Sequence, residues 1–262
     1  MISVVILTWN SEKYIKKCIE SVIESANFAQ QKIEILIFDN GSKDQTLAII
    51  EDLTKIHPFI RLTRFEKNRG TTYPRNLGIK NSEGDYILVL DSDVELENNT
   101  IKELVEILEY REDAGVVCPK LILENGDLQF SFKKFPTIKT KFLKILSSKI
   151  KFLQKFSYKD ELYGEKKELF YPDYCISACW LLKKEIFNKI GLFDENIFYS
   201  PEDVDFCLRI WLAGYKVIYF PNVQAIHHTQ RLSYTNKYIA KRHTEGLLYY
   251  FKKYKYLFSR KK

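Results

Sequence analysis

The stretch Tyr86-Ile-Leu-Val-Leu-Asp-Ser-Asp93 constrains this chain more than any other. Five apolar residues run directly into two carboxylates, Asp91 and Asp93, with one small residue between them. An apolar run of this length reads as a strand buried on both faces. An acidic pair cannot continue inside such a core, because an unpaired buried carboxylate is too costly. Asp91 and Asp93 must therefore stand where the strand emerges. In an open α/β sheet, that edge is where ligands bind. Two carboxylates there suit a divalent cation with oxygen ligands, Mg²⁺ or Mn²⁺. The competing reading is local: either acid can start a turn or cap the next helix.

The residues before and after this strand alternate in the same sense. Ser3 to Thr8 is apolar and predicts a first strand, and Asn10 or Ser11 is placed to cap the helix after it. Ile15, Cys18, Ile19, Val22, Ile23 and Ala26 give that helix one apolar stripe. A second strand, Ile33 to Phe38, ends in the turn sequence Asp39-Asn-Gly-Ser42. A helix near Gln45 to Lys55, a strand near Ile60 to Phe65 and a polar loop from Asn68 to Asn76 lead to the central strand. A helix from Thr100 to Tyr110 follows it. Alternation of this kind implies a parallel sheet with right-handed crossovers. Thr8 to Asn10, Asp39 and Asp91 to Asp93 then share one edge.

The second half is less regular. Val116 to Leu123 and Leu128 to Phe132 predict a hairpin about Asn125-Gly126. Lys139 to Phe156 predicts a basic amphipathic helix. Tyr174 to Leu182 reads as one strand, and Ser200 as the cap of a helix with Pro201 first and Asp203 three residues after the cap. Lys216 to Phe220 is a further strand, with His227-His228 beyond it.

The chain has 262 residues, 45% of them apolar, and a net charge of +7. That length holds one large α/β domain or two small ones. The charge fits an anionic substrate, a membrane surface or nucleic acid without choosing among them. Five cysteines without a Cys-x-x-Cys pair argue for buried thiols rather than zinc or a disulfide framework. No apolar run is long enough to span a bilayer. The start reads as a strand rather than a leader, so the expected location is cytoplasmic. The tail beyond Tyr238 mixes Lys, Arg, Tyr and Phe, which suits peripheral contact at the inner face of the cell membrane. No nucleic-acid recognition motif is visible.

In order, the chain carries Thr8-Trp9-Asn10, Asp39-Asn-Gly-Ser42, Asn68-x-Gly70 with Arg75-Asn76, and Asp91-Ser92-Asp93. Gly191-x-Phe-Asp-Glu195 and Glu202-Asp203-x-Asp205 follow, with Arg209 and Gly214 after them. In this order the motifs resemble the family 2 glycosyltransferases of the GT-A fold, especially the rhamnosyltransferase-like members. The resemblance implies a mixed, mostly parallel central sheet flanked by helices, in a domain over residues 1–235. A nucleotide-sugar half would span 1–112 and an acceptor half 113–235, with a basic aromatic helical tail at 236–262.

The resemblance also implies a nucleotide-sugar donor, a glycan or lipid-linked acceptor, a divalent metal and inversion at the anomeric carbon. Thr8 and Asp39 would hold the base and ribose, and Asn10, Asn68, Arg75, Asp91 and Ser92 would lie around the nucleotide. Asp93 would hold the metal, with His227 or His228 completing the site. Asp203 would be the general base, with Glu202 and Trp180 beside the acceptor. Trp9 is expected to be a packing residue. The residues leave two competitors open. One is a phosphatase or nucleotidyltransferase using the Asp91/Asp93 pair. A phosphatase expects that pair on the first strand, and a nucleotidyltransferase expects a Gly-rich basic loop after it. The other is a non-catalytic membrane-associated binding protein, whose acidic pairs should have eroded.

Overall fold

The computed structural model describes residues 1–141, 162–229 and 236–255. Among these, β1 (Ile2–Thr8), α1 (Ile15–Phe28), β2 (Ile33–Asp39), α2 (Thr46–Ile56) and β3 (Ile60–Arg64) come first. Next are α3 (Thr72–Asn81), β4 (Tyr86–Asp91), β5 (Val94–Leu96), α4 (Thr100–Tyr110) and β6 (Ala114–Ile122). The remaining elements are β7 (Phe132–Lys133), β8 (Tyr174–Cys175), β9 (Cys179–Lys183), α5 (Glu185–Ile190), α6 (Glu202–Leu212), β10 (Lys216–His227) and α7 (Lys237–Tyr254).

Eight strands form one sheet in the order β3-β2-β1-β4-β9-β6-β10-β5. The strands β3, β2, β1 and β4 run parallel, as their alternation with helices requires. The strand β9 is antiparallel to β4 and to β6, and β10 returns parallel to β6. Alternate strand residues feed two separate cores. Val4, Ile6, Leu88 and Leu90 pack with α1, α2 and α4 on one face. Val5, Ile87, Val89 and Trp180 pack with α3, α5, α6 and α7 on the other. Helices on both faces explain why these strands read as continuous apolar runs.

The short strand β5 has no sequence signal of its own, yet it decides the site. It turns back immediately after Asp93 and pairs antiparallel with the end of β10, setting Val94 opposite His227. Pro221 and Asn222 sit where the β10–β6 register shifts, between Phe220 and Gln224. Proline cannot donate to a ladder, so a break there lets the strand run on to His227.

Several expectations change. The predicted hairpin shrinks to one bridge, Ile122 with Leu128, while Phe132 pairs with Cys175 and packs against Tyr219 at 4.1 Å between ring centroids. Burial of that ring outweighs hairpin continuation. The strand expected over Tyr174 to Leu182 is two strands, interrupted so that Ala178 can accept from the Asp91 N–H at 2.9 Å. Neither α1 nor α6 has a side-chain cap; Tyr14 and Pro201 stand at their N-caps. The basic helix expected over Lys139 to Phe156 lies outside the described residues beyond Lys141.

The expected boundary at 112/113 runs through a continuous sheet, because β9 enters between β4 and β6. Ile239, Gly246, Tyr250 and Phe251 of α7 are buried, so part of its aromatic content is used inside the protein. Among the described residues, no helix is long and apolar enough to cross a membrane.

Candidate active site at the carboxyl edge of the sheet

A cavity of about 340 Å³ opens where β1 and β4 end, between the Asn68–Thr71 loop and the start of α6. Its walls carry Thr8, Asn68, Arg75, Asp91, Ser92, Asp93, Glu202, Asp203 and His227. These residues come from five stretches of chain. The parallel register places Thr8 opposite Asp39 and Leu7 opposite Asp91, so the strand ends lie level along one edge.

Asp91, Asp93 and His227 offer ligand atoms that all lie within 4.8 Å of one another. The β5–β10 pairing brings them together, with His227 Nε2 at 3.4 Å from Asp93 Oδ1. The other ring nitrogen, Nδ1, lies 2.9 Å from Gln129 Oε1, which fixes the ring's orientation. Two carboxylate oxygens and an imidazole nitrogen suit Mn²⁺ or Mg²⁺ chemically. His228 does not join them. Its side chain points the other way, with Nε2 at 2.7 Å from Glu95 Oε1 and the ring stacked on Tyr14. Adjacent residues on an extended segment face opposite sides, so only one of the pair can reach the cavity.

Arg75 is buried and ties the two walls together. Its NH2 donates to Asp91 Oδ1 at 2.6 Å, and its NH1 donates to Ser177 Oγ at 2.8 Å and Glu202 Oε1 at 3.2 Å. A guanidinium spends its fork most effectively on such pairs. The guanidinium expected beside the nucleotide is thus engaged by two carboxylates. Its neighbour Asn76 makes the matching joint on the far side. The amide donates to Phe193 O and Glu195 Oε1 and accepts from the Phe193 N–H, each at 2.9 Å. This explains why Arg75-Asn76 and Gly191-x-Phe-Asp-Glu195 occur together: the first motif holds the second.

Three buried polar atoms of the cavity wall have no partner among the described residues, Thr8 Oγ1, Arg75 Nε and Glu202 Oε2; Asp39 Oδ2, next in sequence to the wall residue Asn40 but not itself in the wall, has none either. Unpaired atoms of this kind are costly unless a ligand or water completes them. Asp39 is fully buried. Its Oδ1 accepts from the N–H groups of Gly41 and Ser42 at 3.1 and 3.0 Å, leaving Oδ2 spare. Asn68 Oδ1 accepts from Gly70 N–H and Asn40 Nδ2, which shapes its loop. Ser92 Oγ lies 2.8 Å from Ser11 Oγ.

Two expected contacts fail. Asn10 is exposed with φ of 53°, and it clamps the loop after β2 through Ser42 Oγ and Lys43 N–H, outside the cavity wall. Trp180 is fully buried in the second core, with its ring centroid 5.7 Å from Phe206 and 6.2 Å from Phe193. Its position on the inward face of β9 keeps it from any acceptor.

Asp203 stands at the first turn of α6, half-buried, with Oδ1 accepting from the Val204 N–H at 2.8 Å. Burial pushes its carboxyl up, and the Glu202 carboxylate pushes it further, to about 7. Burial also raises the Tyr199 phenol, with Glu202 adding to it, so this hydroxyl stays protonated. Asp205 plays another part: fully buried, it accepts from Arg209 Nε and NH2 at 3.0 and 2.8 Å. Trp9, Tyr199, Ser177 and Ile239 line the cavity without having been singled out for it. A Tyr before Ser-Pro, just ahead of an acidic helix start, was the one signal available for Tyr199.

The model of the family described as "Glycosyl transferase family 2" matches residues 3–191. A Methanococcus voltae dolichyl N-acetyl-alpha-D-glucosaminyl phosphate 3-beta-D-2,3-diacetamido-2,3-dideoxy-beta-D-glucuronosyltransferase is 30% identical over 236 residues, 87% of this chain and 67% of its own. The Escherichia coli rhamnosyltransferase WbbL is 24% identical over 87% of this chain and 83% of its own. Among solved structures, Staphylococcus aureus TarS 1–349 superposes with a TM-score of 0.61 at 22% identity, over 92% of this chain and 64% of that one. GalNAc-T7 with UDP, GalNAc and Mn²⁺ gives 0.66 at 18% identity, over 87% of this chain and 43% of that one. The chain thus spans less than two thirds of either solved structure. The fold is that of the GT-A glycosyltransferases, with a mostly parallel sheet flanked by helices. With the family match covering most of its length, the chain belongs to glycosyl transferase family 2.

Proposed function

We propose that this chain is an inverting, metal-dependent glycosyltransferase moving a sugar from a nucleotide-sugar donor to a hydroxyl of a glycan or lipid-linked acceptor. The observation that carries this is the convergence of two groups on one cavity: Asp91, Asp93 and His227 from the strand ends, and Glu202 and Asp203 from the start of α6. Asp93 and His227, with Asp91, would hold Mn²⁺ or Mg²⁺. The cation, when bound, neutralises charge growing on a departing diphosphate. Thr8 Oγ1 and Asp39 Oδ2 are the spare acceptors for a nucleoside. Asp203 takes the proton of the attacking hydroxyl, and a carboxyl near 7 is tuned for that task at neutral pH. Attack from the Asp203 side, opposite the diphosphate, inverts the anomeric carbon.

A lipid-linked acceptor is supported by the dolichyl phosphate in the Methanococcus relative's name. On this reading the chain works at the inner face of the cell membrane, and the exposed lysines of α7 are available for peripheral contact. The donor class is supported by TarS having been crystallised with UDP-GlcNAc.

The test is a thermal-shift screen of nucleoside diphosphates with and without Mn²⁺, followed by nucleoside diphosphate release from the matching sugar donors. A ligand that binds the native form raises the melting temperature. Asp93→Asn should lose the Mn²⁺-dependent part of the shift, and Asp203→Asn should keep it while turnover falls by about 10² to 10⁴. Wild-type turnover in Asp203→Asn would sink the proposal.

A further inference from the structure

We propose that α7 is a positioning element for the segment carrying Tyr199, Glu202 and Asp203, and that Gly246 sets its distance. The inference rests on the proposed role of Asp203 and concerns residues beyond the family match. The segment from Asp194 to Asp205 lines the cavity through Phe198, Tyr199, Ser200, Glu202 and Asp203, and α7 holds it at three points. At one end, Asp194 Oδ2 accepts from Tyr249 Oη at 3.0 Å and Lys253 Nζ at 2.7 Å. At the other, the buried Asp205 Oδ1 accepts from the same Lys253 Nζ at 2.6 Å and from Tyr254 Oη at 2.7 Å. One ammonium therefore joins both ends.

Between them, α7 presses on the segment's backbone at Gly246. A Cβ built on Gly246 would lie 2.3 Å from Ser200 O. The opposite side is held as closely. A Cβ on Gly70 would lie 2.3 Å from Phe198 O, which also accepts from the Thr71 N–H at 2.7 Å. Thr72 Oγ1 donates to Ile197 O at 2.8 Å. The segment is thus gripped between two glycines, one on the Asn68–Thr71 loop and one on α7. Ile239, on the first turn of α7, is buried and reaches the cavity wall itself. Arg242 lies over the Phe198 ring, 4.9 Å from its centroid, and closes the remaining gap.

Gly246→Ala must open the helix from the segment, from 2.3 Å to at least 3.0 Å at that contact. A displacement near 1 Å at a reacting group costs on the order of 10² in rate. The experiment compares wild type, Gly246→Ala and Lys253→Met in three measurements. Amide exchange over 194–205 should quicken by about tenfold or more in both variants, with the strands β1 and β4 unchanged. The kcat for nucleoside diphosphate release should fall by on the order of 10² in Gly246→Ala. The melting-temperature shift given by UDP with Mn²⁺ should persist, because Thr8, Asp39 and Asp93 lie off the segment.

Unchanged exchange over 194–205 in both variants would overturn the inference. So would loss of the UDP/Mn²⁺ shift in parallel with kcat, which would mark a general loss of structure. Should the wild-type chain turn over no nucleotide sugar, the proposed function fails. Amide exchange then decides the role of α7 by itself.

Discussion

With Asp203 as the proposed base, turnover should depend on pH in a defined way. The Asp203 carboxyl moves from 3.8 up to about 7, first through burial and then through the neighbouring Glu202 carboxylate. A general base works only when ionised, so the rate follows the ionised fraction. That fraction falls about tenfold per pH unit below the midpoint, which leaves on the order of 1% of the plateau rate at about pH 5. Glu202→Gln should move the midpoint down for two reasons. It removes the repelling charge, and it loosens the pull of Glu202 Oε1 on Arg75, whose cation also lowers Asp203.

Stability carries the opposite sign. Because the folded chain holds this proton more tightly than the unfolded chain, the contribution is fully present below about 3.8 and is lost as pH rises to about 7. The full loss is bounded by on the order of 4 kcal/mol, and solvent in the cavity screens part of it. Asp203→Asn should therefore be about 1–3 kcal/mol more stable than wild type near pH 8 and nearly equal to it near pH 3.5. The assays are initial rates at saturating donor from about pH 5 to 9, and urea unfolding at the two pH extremes. A wild-type rate that stays flat down to about pH 5 would refute the placement of Asp203 as a base. An Asp203→Asn variant less stable than wild type near pH 8 would refute the electrostatic account.

Arg75→Met leaves Asp91 and Glu202 without their shared cation and should cost about 3–5 kcal/mol in urea unfolding. Trp180→Phe should cost about 1–3 kcal/mol from lost core packing while leaving the acceptor KM unchanged. A raised acceptor KM in a well-folded Trp180→Phe protein would return that residue to the site.

The first half of the sheet was legible because its signals are local. Each strand from β1 to β4 is a short apolar run, each ends in a polar turn, and Asp91, Asp93 and Asp39 stand at those ends. Glu202 and Asp203 were legible for a similar reason, as an acidic pair at a helix start. What failed depends on pairing between distant segments. The three-residue β5 has no periodicity to read, yet its register with β10 alone separates His227, which meets Asp93, from His228, which meets Glu95. Trp180 and Asn10 failed because a residue type advertises its chemistry and says nothing of the side it faces. The packing of α7 failed because its outward lysines and inward aromatics together resemble a surface helix. Only contact with Asp194 and Asp205 reveals which face is used.

The entry of β9 between β4 and β6 also bears on how the chain is made. Ribosomal synthesis delivers β1 to β4 first, and they can pair as soon as they emerge. The outer side of β4 then waits for Cys179–Lys183, with the backbone groups of Ile87–Leu90 uncovered in the meantime. A nascent apolar edge of that kind invites pairing with other chains. That open edge is therefore the point at which the growing chain is most exposed to mispairing.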